Sequence, residues 1–401
     1  MKSLHKIILF ALLPLMGACS GMLDIEPHSA VSPTVVGSDD IEALRIGMYN
    51  KVQEGPTYYS YIAFDLFGGE LMTSTGRPID LINSLSNALH TFVSSQWNGY
   101  YKALLQVNNV MSIAEGLADS PTRNRVLGEC RYFRAYIYLC LVTRFGDVPV
   151  LRQNTQAKVS RDPASMAWEL VEEDLDAASG FLNGLSADSF YYVSPAAVTA
   201  LKARVKLYLG KKGEANKEVI FAFSCLTEDG SSIKISNQFY SYNHPNKGSY
   251  NYRPAGDVMT MYADNDLRKE VSITTLDNLN FVNKYPSGQT GSDPVVISRL
   301  AEMYLISAEA QGLNGGLDRL NELREKRGLD RVSPGNEADF LDAVLQERRL
   351  EFLAEGFRWY DLVRTGKATQ TLGTKDYQCL MPLPSRELLY NPNLKPNNPG
   401  Y

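Results

Sequence analysis

A run of acidic and basic residues near the carboxyl end has the residue types needed for acid–base chemistry. The segment ERRLE at residues 347–351 is followed by the segment WYDLVR at residues 359–364. A glycosidase needs two carboxyls about 5–9.5 Å apart, one of them with a raised pKa. Acids four residues apart lie on one helix face, however, where they form ion pairs with arginines. We therefore predict that this segment has a structural role, and that two further acids meet its arginines across a helical hairpin: Glu302 and Glu309.

No other stretch of the sequence has the spacing of a catalytic site. The chain contains no G-x-S-x-G elbow, P-loop, H-E-x-x-H or dinucleotide-binding fingerprint. Its four histidines are scattered, so local spacing builds no zinc site. We predict a protein that is not an enzyme and that holds no metal or cofactor. An enzyme is kept as the least favoured alternative.

Tyrosine is the residue that points to binding, because the chain has 23 Tyr against 15 Phe and 3 Trp. Tyrosines cluster in two stretches that lack helical periodicity, alongside amide and charged side chains. The apolar faces of sugar rings stack on aromatic planes, while their hydroxyls need polar partners. The alternative is that these tyrosines only pack loops onto a scaffold. We predict a ligand site made by the following residues: Tyr240, Tyr242, Tyr250, Tyr252, Arg77 and Asn83.

Composition and cysteine spacing narrow the class of protein. The chain of 401 residues has a net charge of −5, which is not the basic footprint of a nucleic-acid-binding protein. Cys130 and Cys140 on one helix would lie about 15 Å apart, beyond the reach of a disulfide. We therefore expect four buried thiols after the first cysteine: Cys130, Cys140, Cys225 and Cys379.

The amino-terminal segment is predicted to be a targeting signal outside the fold. Lys2 and Lys6 precede an apolar stretch of ten residues at 7–16, which is too short to span a bilayer. It ends in Met-Gly-Ala-Cys, which resembles the lipobox of bacterial lipoproteins. We predict a signal peptide at residues 1–18 and lipid attachment at Cys19, with no later membrane helix. The alternative is a plain signal peptide in which Cys19 has no role.

The elements that must position these residues are mainly helices. Helical periodicity, Pro at first turns and Gly at ends predict eight of them, at residues 96–117, 123–145, 163–182, 195–209, 299–311, 317–328, 340–354 and 357–365. Two irregular stretches interrupt them at 55–95 and 226–296, where SIKIS at 232–236 and VSITT at 271–275 predict short strands. The tail after residue 367 ends in NPNLKPNNPGY at 391–401, which is expected to be non-helical, and Trp97 is expected in the core.

Several long motifs in a fixed order resemble the SusD/RagB family. They include QWNGYYKALLQVNNVM, ECRYFRAYIYLCLVTRFGDVPVL, ISRLAEMYLISAEA, LNELREKRG and LQERRLEFLAEGFRWYDLVRTGK. The similarity runs from Cys19 to the last residue, in an amino-terminal part of about 19–225 and a carboxyl-terminal part of about 226–401. It implies a mainly α fold of about four tetratricopeptide-like helical hairpins that support a loop-rich binding face with a few short strands.

The resemblance also implies a function and a partner. Members are lipid-anchored at the outer membrane, face the cell exterior and work with a TonB-dependent transporter of the SusC type. Most members capture oligosaccharides, whereas the RagB branch handles peptides. We therefore expect a glycan-binding lipoprotein that delivers its ligand to such a transporter, with a peptide or other nutrient as the alternative ligand.

Overall fold

The computed structural model describes residues 40–74, 87–211, 221–224 and 233–401. Helices account for most of the regular structure in these residues. They are α1 (Ile41–Glu54), α2 (Tyr59–Phe67), α3 (Thr91–Glu115), α4 (Pro121–Phe145), α5 (Ala164–Phe181), α6 (Pro195–Tyr208), α7 (Lys269–Ser272), α8 (Leu300–Lys326), α9 (Glu337–Glu351), α10 (Arg358–Arg364), α11 (Ala368–Leu372) and α12 (Ser385–Tyr390).

The helix starts follow from local sequence. Ser120 accepts a hydrogen bond from the Arg123 N–H at 3.1 Å and caps α4, whose first residue is a proline. Ser194 caps α6 in the same way, again with proline in the first position. Such caps satisfy backbone N–H groups that have no partner inside the helix. The predicted starts of these helices are therefore confirmed to within a few residues.

Consecutive helices pack against one another as hairpins. The most extensive contacts join α3 to α4, α4 to α5, and α8 to α9, while α1 packs on α3. Helix α6 contacts α8 and so connects the amino-terminal helices to the carboxyl-terminal ones. The predicted mainly α fold of tetratricopeptide-like hairpins is confirmed. Trp97 lies in the core against Phe145, as predicted.

The range labelled α8 contains two helical segments, as predicted for 299–311 and 317–328. They are separated by Gly312, whose backbone is not helical, with φ 67° and ψ −173°. Gly316, in the second segment, packs directly on the first, because a Cβ there would lie 1.9 Å from the Ala308 carbonyl oxygen. The Gly-Gly pair at 315–316 therefore permits close packing after the break and does not end the helix.

The strands are short and form three two-stranded antiparallel sheets within the described residues. The pairs are β1 (Leu71–Thr73) with β3 (Tyr252–Pro254), β2 (Phe221–Phe223) with β6 (Val295–Ser298), and β4 (Ile273–Leu276) with β5 (Leu279–Val282). Strand β4 confirms the prediction from VSITT. The prediction from SIKIS is wrong, because residues 233–235 are not extended in a sheet and Ser236 begins a 3-10 turn.

The final segment of the chain, residues 391–401, contains no α-helix, as predicted, and has one 3-10 turn at Pro392–Leu394. The part of the tail before it contains the short helices α11 and α12. The tail is also well attached to the helical layer. Asn398 donates hydrogen bonds to the Phe145 and Met381 carbonyls at 2.9 and 2.7 Å.

Candidate functional site

A tyrosine-bearing face is built where the two irregular stretches of the sequence meet. Strand β1 pairs with β3 so that Thr73 lies opposite Tyr252 and Met72 opposite Arg253. The Ser74 N–H extends the pairing to the Asn251 carbonyl at 3.1 Å. The pairing therefore brings the tyrosines around residue 250 next to those that begin α2.

Three tyrosines form the centre of this face, which we call the tyrosine cluster: Tyr58, Tyr59 and Tyr252. The rings of Tyr58 and Tyr59 lie 4.3 Å apart between centroids, inclined by 36°. Tyr252 interacts with the Tyr58 hydroxyl, and burial raises the pKa of Tyr252 to about 12. All three side chains are partly accessible. The cluster thus offers aromatic surface together with hydroxyl groups. The hydroxyl of Tyr252 stays protonated and neutral at physiological pH.

Tyr240 and Tyr250 are held by the adjacent β-hairpin. Tyr240 is 0% exposed, and its hydroxyl donates to the Asn283 side chain at 2.8 Å. Tyr250 is partly accessible; its hydroxyl donates to the Asn280 carbonyl at 3.1 Å. Both rings pack on Phe281, with centroid distances of 5.9 and 5.2 Å. Tyr240 therefore supports the loop from beneath and presents no face to a ligand.

Tyr242 is the most accessible of the predicted site tyrosines, with 76% of its surface exposed. Its ring lies 5.9 Å from the Lys247 ammonium, and it sits on the loop that leads into the Tyr250–Tyr252 segment. Arg77 and Asn83, the other two predicted ligand contacts, lie outside the described residues. The structure therefore brings Tyr252 to the tyrosine cluster and leaves Tyr242 on the neighbouring loop.

Polar side chains border the tyrosine cluster. Asn251 is exposed, and its side-chain NH2 group donates to the Gln238 side chain at 2.7 Å. The oxygen of the Asn251 side-chain amide can accept a hydrogen bond from a ligand. Arg253 follows Tyr252 on β3, so its side chain lies on the opposite face of the ladder, where its Nε is buried without a hydrogen-bond partner among the described residues. Tyr58 and Tyr59, at the start of α2, were not among the predicted site residues; their position in the tyrosine-rich segment that opens the stretch 55–95 is the signal that could have found them.

The ERRLE segment is part of the scaffold, as predicted. Arg348 is 1% exposed and bonds Asp361 at 2.7 Å. Glu347 accepts from Arg268 at 2.6 Å and from Arg324 at 2.7 Å. Burial disfavours the charged forms of Asp361 and Glu347, but the charge-assisted hydrogen bonds from these guanidinium groups compensate for it. The segment therefore joins α9 to neighbouring helices and does not present a free carboxyl pair.

The prediction that Glu302 and Glu309 both pair with arginines of the segment 347–364 was wrong for one of them. Glu302 binds Arg204 on α6 at 2.6 Å, whereas Glu309 binds Arg364 on α10 at 2.6 Å. Only the second pair involves the arginine-rich motif. Glu351 is surrounded by guanidinium groups, which hold its pKa far below the usual range against the opposing effect of burial. A general acid needs the opposite shift.

The three cysteines in the described ranges are unpaired, and the spacing of Cys130 and Cys140 along one helix already excluded a disulfide between them. Cys130 and Cys140 are buried thiols on α4, and Cys379 is also free. Cys379 is partly exposed, which corrects the expectation that it is buried. Cys225 lies outside the described residues. No group of three His, Cys, Asp or Glu side chains in the described ranges is arranged to hold a metal ion.

A scaffold of helical hairpins that carries an irregular tyrosine-bearing face defines a class of binding proteins. Two family models match: "Starch-binding associating with outer membrane" over residues 22–209, and "SusD family" over residues 278–379. The chain belongs to the SusD/RagB family. None of the helices in the described ranges is both long and apolar enough to cross a bilayer.

Similar proteins cover nearly the whole chain. A SusD-like protein of Formosa agariphila is 24% identical, with 96% of this chain and 97% of that protein covered. Among solved structures, NanU of B. fragilis superposes with a TM-score of 0.78 at 22% identity, covering 94% of this chain and all of NanU. A laminarin-binding SusD-like protein gives 0.75 at 21% identity, covering 91% and 100%. These structural likenesses show the shared fold.

Proposed function

We propose that this protein is a cell-surface glycan-binding lipoprotein that captures oligosaccharides and passes them to a SusC-type TonB-dependent transporter. The observation that supports the ligand class is the β1–β3 pairing, which places Tyr252 beside Tyr58 and Tyr59. A laminarin-binding protein and a surface glycan-binding protein of Bacteroides fluxus share the fold. Family membership supports the outer-membrane setting and the transporter partner.

The proposed site combines stacking and hydrogen bonding. The tyrosine cluster supplies planes for the apolar faces of sugar rings, and exposed Tyr242 supplies a further ring on the adjoining loop. Asn251 supplies a polar group for sugar hydroxyls, while Tyr250 and Tyr240 hold the loop in place. Because the helical layer holds these loops, little conformational entropy is lost on binding. Arg77 and Asn83 remain proposed contacts.

The protein is proposed to act without catalysis. The arginine-paired carboxylates of the ERRLE segment have the wrong electrostatic setting for a general acid, as Glu351 shows. The ligand would therefore be held and released unchanged. Anchoring at the outer membrane through Cys19, facing the cell exterior, would place the tyrosine cluster where it meets glycans before they reach the transporter.

The ligand class is tested by calorimetric titration of the protein with laminari-, malto- and sialyl-oligosaccharides and, separately, with a pool of tryptic peptides. We expect binding to at least one oligosaccharide series that strengthens with chain length, since longer chains contact more of the face. Binding of peptides alone would contradict the glycan proposal and favour a RagB-type function. Hydrolysed products in the titration cell would contradict the proposal that the protein is non-enzymatic.

The transporter step is tested by co-purification. The protein would be isolated from outer membranes through an affinity tag, and the tag-bound fraction analysed by mass spectrometry. We expect a TonB-dependent transporter in near-equal amount. Its absence, while oligosaccharide binding persists, would contradict the delivery step and leave the binding proposal intact.

A further inference from the structure

The buried arginines of this protein differ in whether a carboxylate neutralises their charge. Six arginine side chains are buried in the part of the chain that the structure describes. Five of them bond a carboxylate at 2.5–2.7 Å: Arg45 with Glu129, Arg134 with Asp174, Arg204 with Glu302, Arg268 with Glu347, and Arg348 with Asp361. This is the usual arrangement, because a buried charge without a counter-charge is costly.

Arg144, at the end of α4, is the exception. It is 4% exposed, and its guanidinium donates only to neutral acceptors. Nε donates to the Gln96 side chain at 2.8 Å, Nη1 to the Cys140 carbonyl at 3.0 Å, and Nη2 to the Ser60 carbonyl at 3.3 Å. Within the described residues, no carboxylate pairs with it. Because arginine stays protonated in proteins, a full positive charge lies in the core without a counter-ion.

Aromatic rings surround this charge on the sides that hydrogen bonds leave open. The guanidinium carbon lies 4.4 Å from the Phe64 ring centroid, 5.0 Å from that of Tyr100 and 5.7 Å from that of Tyr360. Cation–π contacts of this kind are worth up to about 2 kcal/mol when desolvated. They offset part of the cost of burying the charge, which is several kcal/mol per ion.

A partly open cavity of about 80 Å³ adjoins Arg144, between α2, α4, α6 and β6. A water molecule needs about 10–15 Å³ of such space, so the cavity has room for more than one particle of that size. Its lining is rich in groups that donate hydrogen bonds. Besides the arginine, seven hydroxyl-bearing residues line it: Ser60, Tyr61, Tyr136, Thr143, Tyr208, Tyr285 and Tyr360. Three of them, Tyr61, Thr143 and Tyr285, already donate to backbone carbonyls, so the remaining hydroxyls are the ones proposed to meet an anion.

The other charges at this cavity are already compensated. Arg204 lines it and is neutralised by Glu302. Glu355 also lines it and accepts hydrogen bonds from Arg299 at 2.8 Å and from Lys284 at 2.5 Å. The positive charge of Arg144 is therefore the uncompensated one at the cavity wall. Tyrosine hydroxyls nearby do not supply negative charge, since burial raises the pKa of Tyr360 and Tyr208 above the usual value.

We propose that the cavity beside Arg144 binds a small inorganic anion of the size of chloride. Such an ion would supply the missing counter-charge and accept hydrogen bonds from the cavity hydroxyls. A space of about 80 Å³ is too small for an oligosaccharide, and its lining shares no residue with the tyrosine cluster, so this site is separate from the proposed glycan site. Its role is to stabilise the packing of α2 and α4 beneath the tyrosine cluster.

The first test is thermal unfolding of the full-length protein in detergent solution, with chloride replaced stepwise by gluconate at constant ionic strength. Chloride that binds only the folded state raises Tm in a saturable way. For a domain of this size we expect a rise of about 2 °C or more. A Tm that is the same in both salts overturns the proposal.

Matched variants separate this site from general salt effects. Arg331→Gln removes an exposed arginine, which pairs with Asp318 and Glu325 on the surface, and should keep the chloride dependence of Tm. Arg144→Gln should abolish it. If Arg144→Gln does not fold, Tyr360→Phe decides, because it removes only a hydroxyl at the cavity and should reduce the chloride response. The proposal is overturned if Tm depends on chloride in Tyr360→Phe and Arg144→Gln as strongly as it does in the parent.

The position is tested by soaking crystals of the unmodified protein in sodium bromide and measuring anomalous diffraction at the bromine edge. We expect a peak in the cavity within about 3.5 Å of the Arg144 guanidinium nitrogens. A cavity that contains only water, or bromide confined to the protein surface, overturns the proposal.

Discussion

Thr73 and Tyr252 lie opposite each other in the antiparallel pair of β1 and β3. They come from the two stretches, 55–95 and 226–296, that were predicted to be irregular; the first prediction was wrong in part, because that stretch contains helix α2. The pairing sets Tyr252 beside Tyr58 and Tyr59. A three-residue ladder between distant segments thus assembles the face to which we assign ligand binding.

Tyr240 and Tyr242 should respond in opposite ways to truncation. Tyr240 is buried and hydrogen-bonded, so Tyr240→Ala should lower the free energy of unfolding by about 3–5 kcal/mol, as for other large buried rings. Tyr242→Ala should leave stability unchanged, because most of the side chain is in water. Urea denaturation followed by circular dichroism measures both. Equal loss in the two variants would show that the loop is packed differently.

Arg348 should be essential for the scaffold. Arg348→Ala leaves Asp361 buried with one guanidinium partner fewer, so we expect a loss of about 3–5 kcal/mol in unfolding free energy. The matched control is Arg331→Ala, whose side chain is exposed and should affect stability little. Chemical denaturation of the two variants against the parent is the measurement. A stable Arg348→Ala protein that has lost only ligand binding would instead place this motif in the site.

Asp65 should make the protein less stable as the pH rises, which is the reverse of the usual effect of a carboxyl group. It is buried, accepts from the Gly356 N–H at 2.8 Å, and no cation among the described residues is bonded to it. Burial, then the nearby Glu70 and Glu355, raise the pKa of Asp65 well above the usual range, although the Gly356 N–H and Lys284 oppose the shift. A raised carboxyl pKa means that the folded state keeps a proton that the unfolded state loses. Stability from this group is therefore lost as pH rises above about 4.

Replacement by the neutral isostere isolates this effect. Asp65→Asn should raise Tm relative to the parent at pH 7–8, and the difference should shrink as the pH approaches 4. Thermal unfolding of both proteins between pH 4 and 8 gives the comparison. A lower Tm for Asp65→Asn across the whole range would mean that the ionised carboxylate stabilises the fold.

Local patterns predicted the helices because caps, prolines and glycines act over a few residues. Ser120 and Ser194 begin α4 and α6 where expected. Partners across the fold were harder to predict. The pairing of Glu302 with Arg204 depends on how α6 crosses α8, which no local spacing encodes. Likewise, the segment around Tyr240 and Tyr242 has no regular alternation of apolar and polar residues. Its sequence therefore does not reveal that Tyr240 is buried and Tyr242 is exposed.

Lipid attachment at Cys19 is a prediction of the sequence alone. Cys19→Ala should abolish incorporation of radiolabelled palmitate and either release the protein from membranes or leave an unprocessed precursor. Fractionation of cells that express the variant and the parent provides the comparison. A variant that is still lipid-labelled and membrane-bound would show that another residue carries the anchor.

The central claim is that glycan binds the face around Tyr252, and calorimetric titration of an oligosaccharide ligand into single alanine variants tests it most directly. Truncation of a true aromatic anchor costs at least about 2 kcal/mol, or roughly thirtyfold in Kd. We predict that loss for at least one of three variants, Tyr58→Ala, Tyr242→Ala and Tyr252→Ala, each with a parent-like circular dichroism spectrum. Tyr304→Ala, on the outer surface of α8 where its hydroxyl bonds Glu322, should bind as the parent does. Parent-like affinity in all three variants would contradict the assignment of this face as the glycan site.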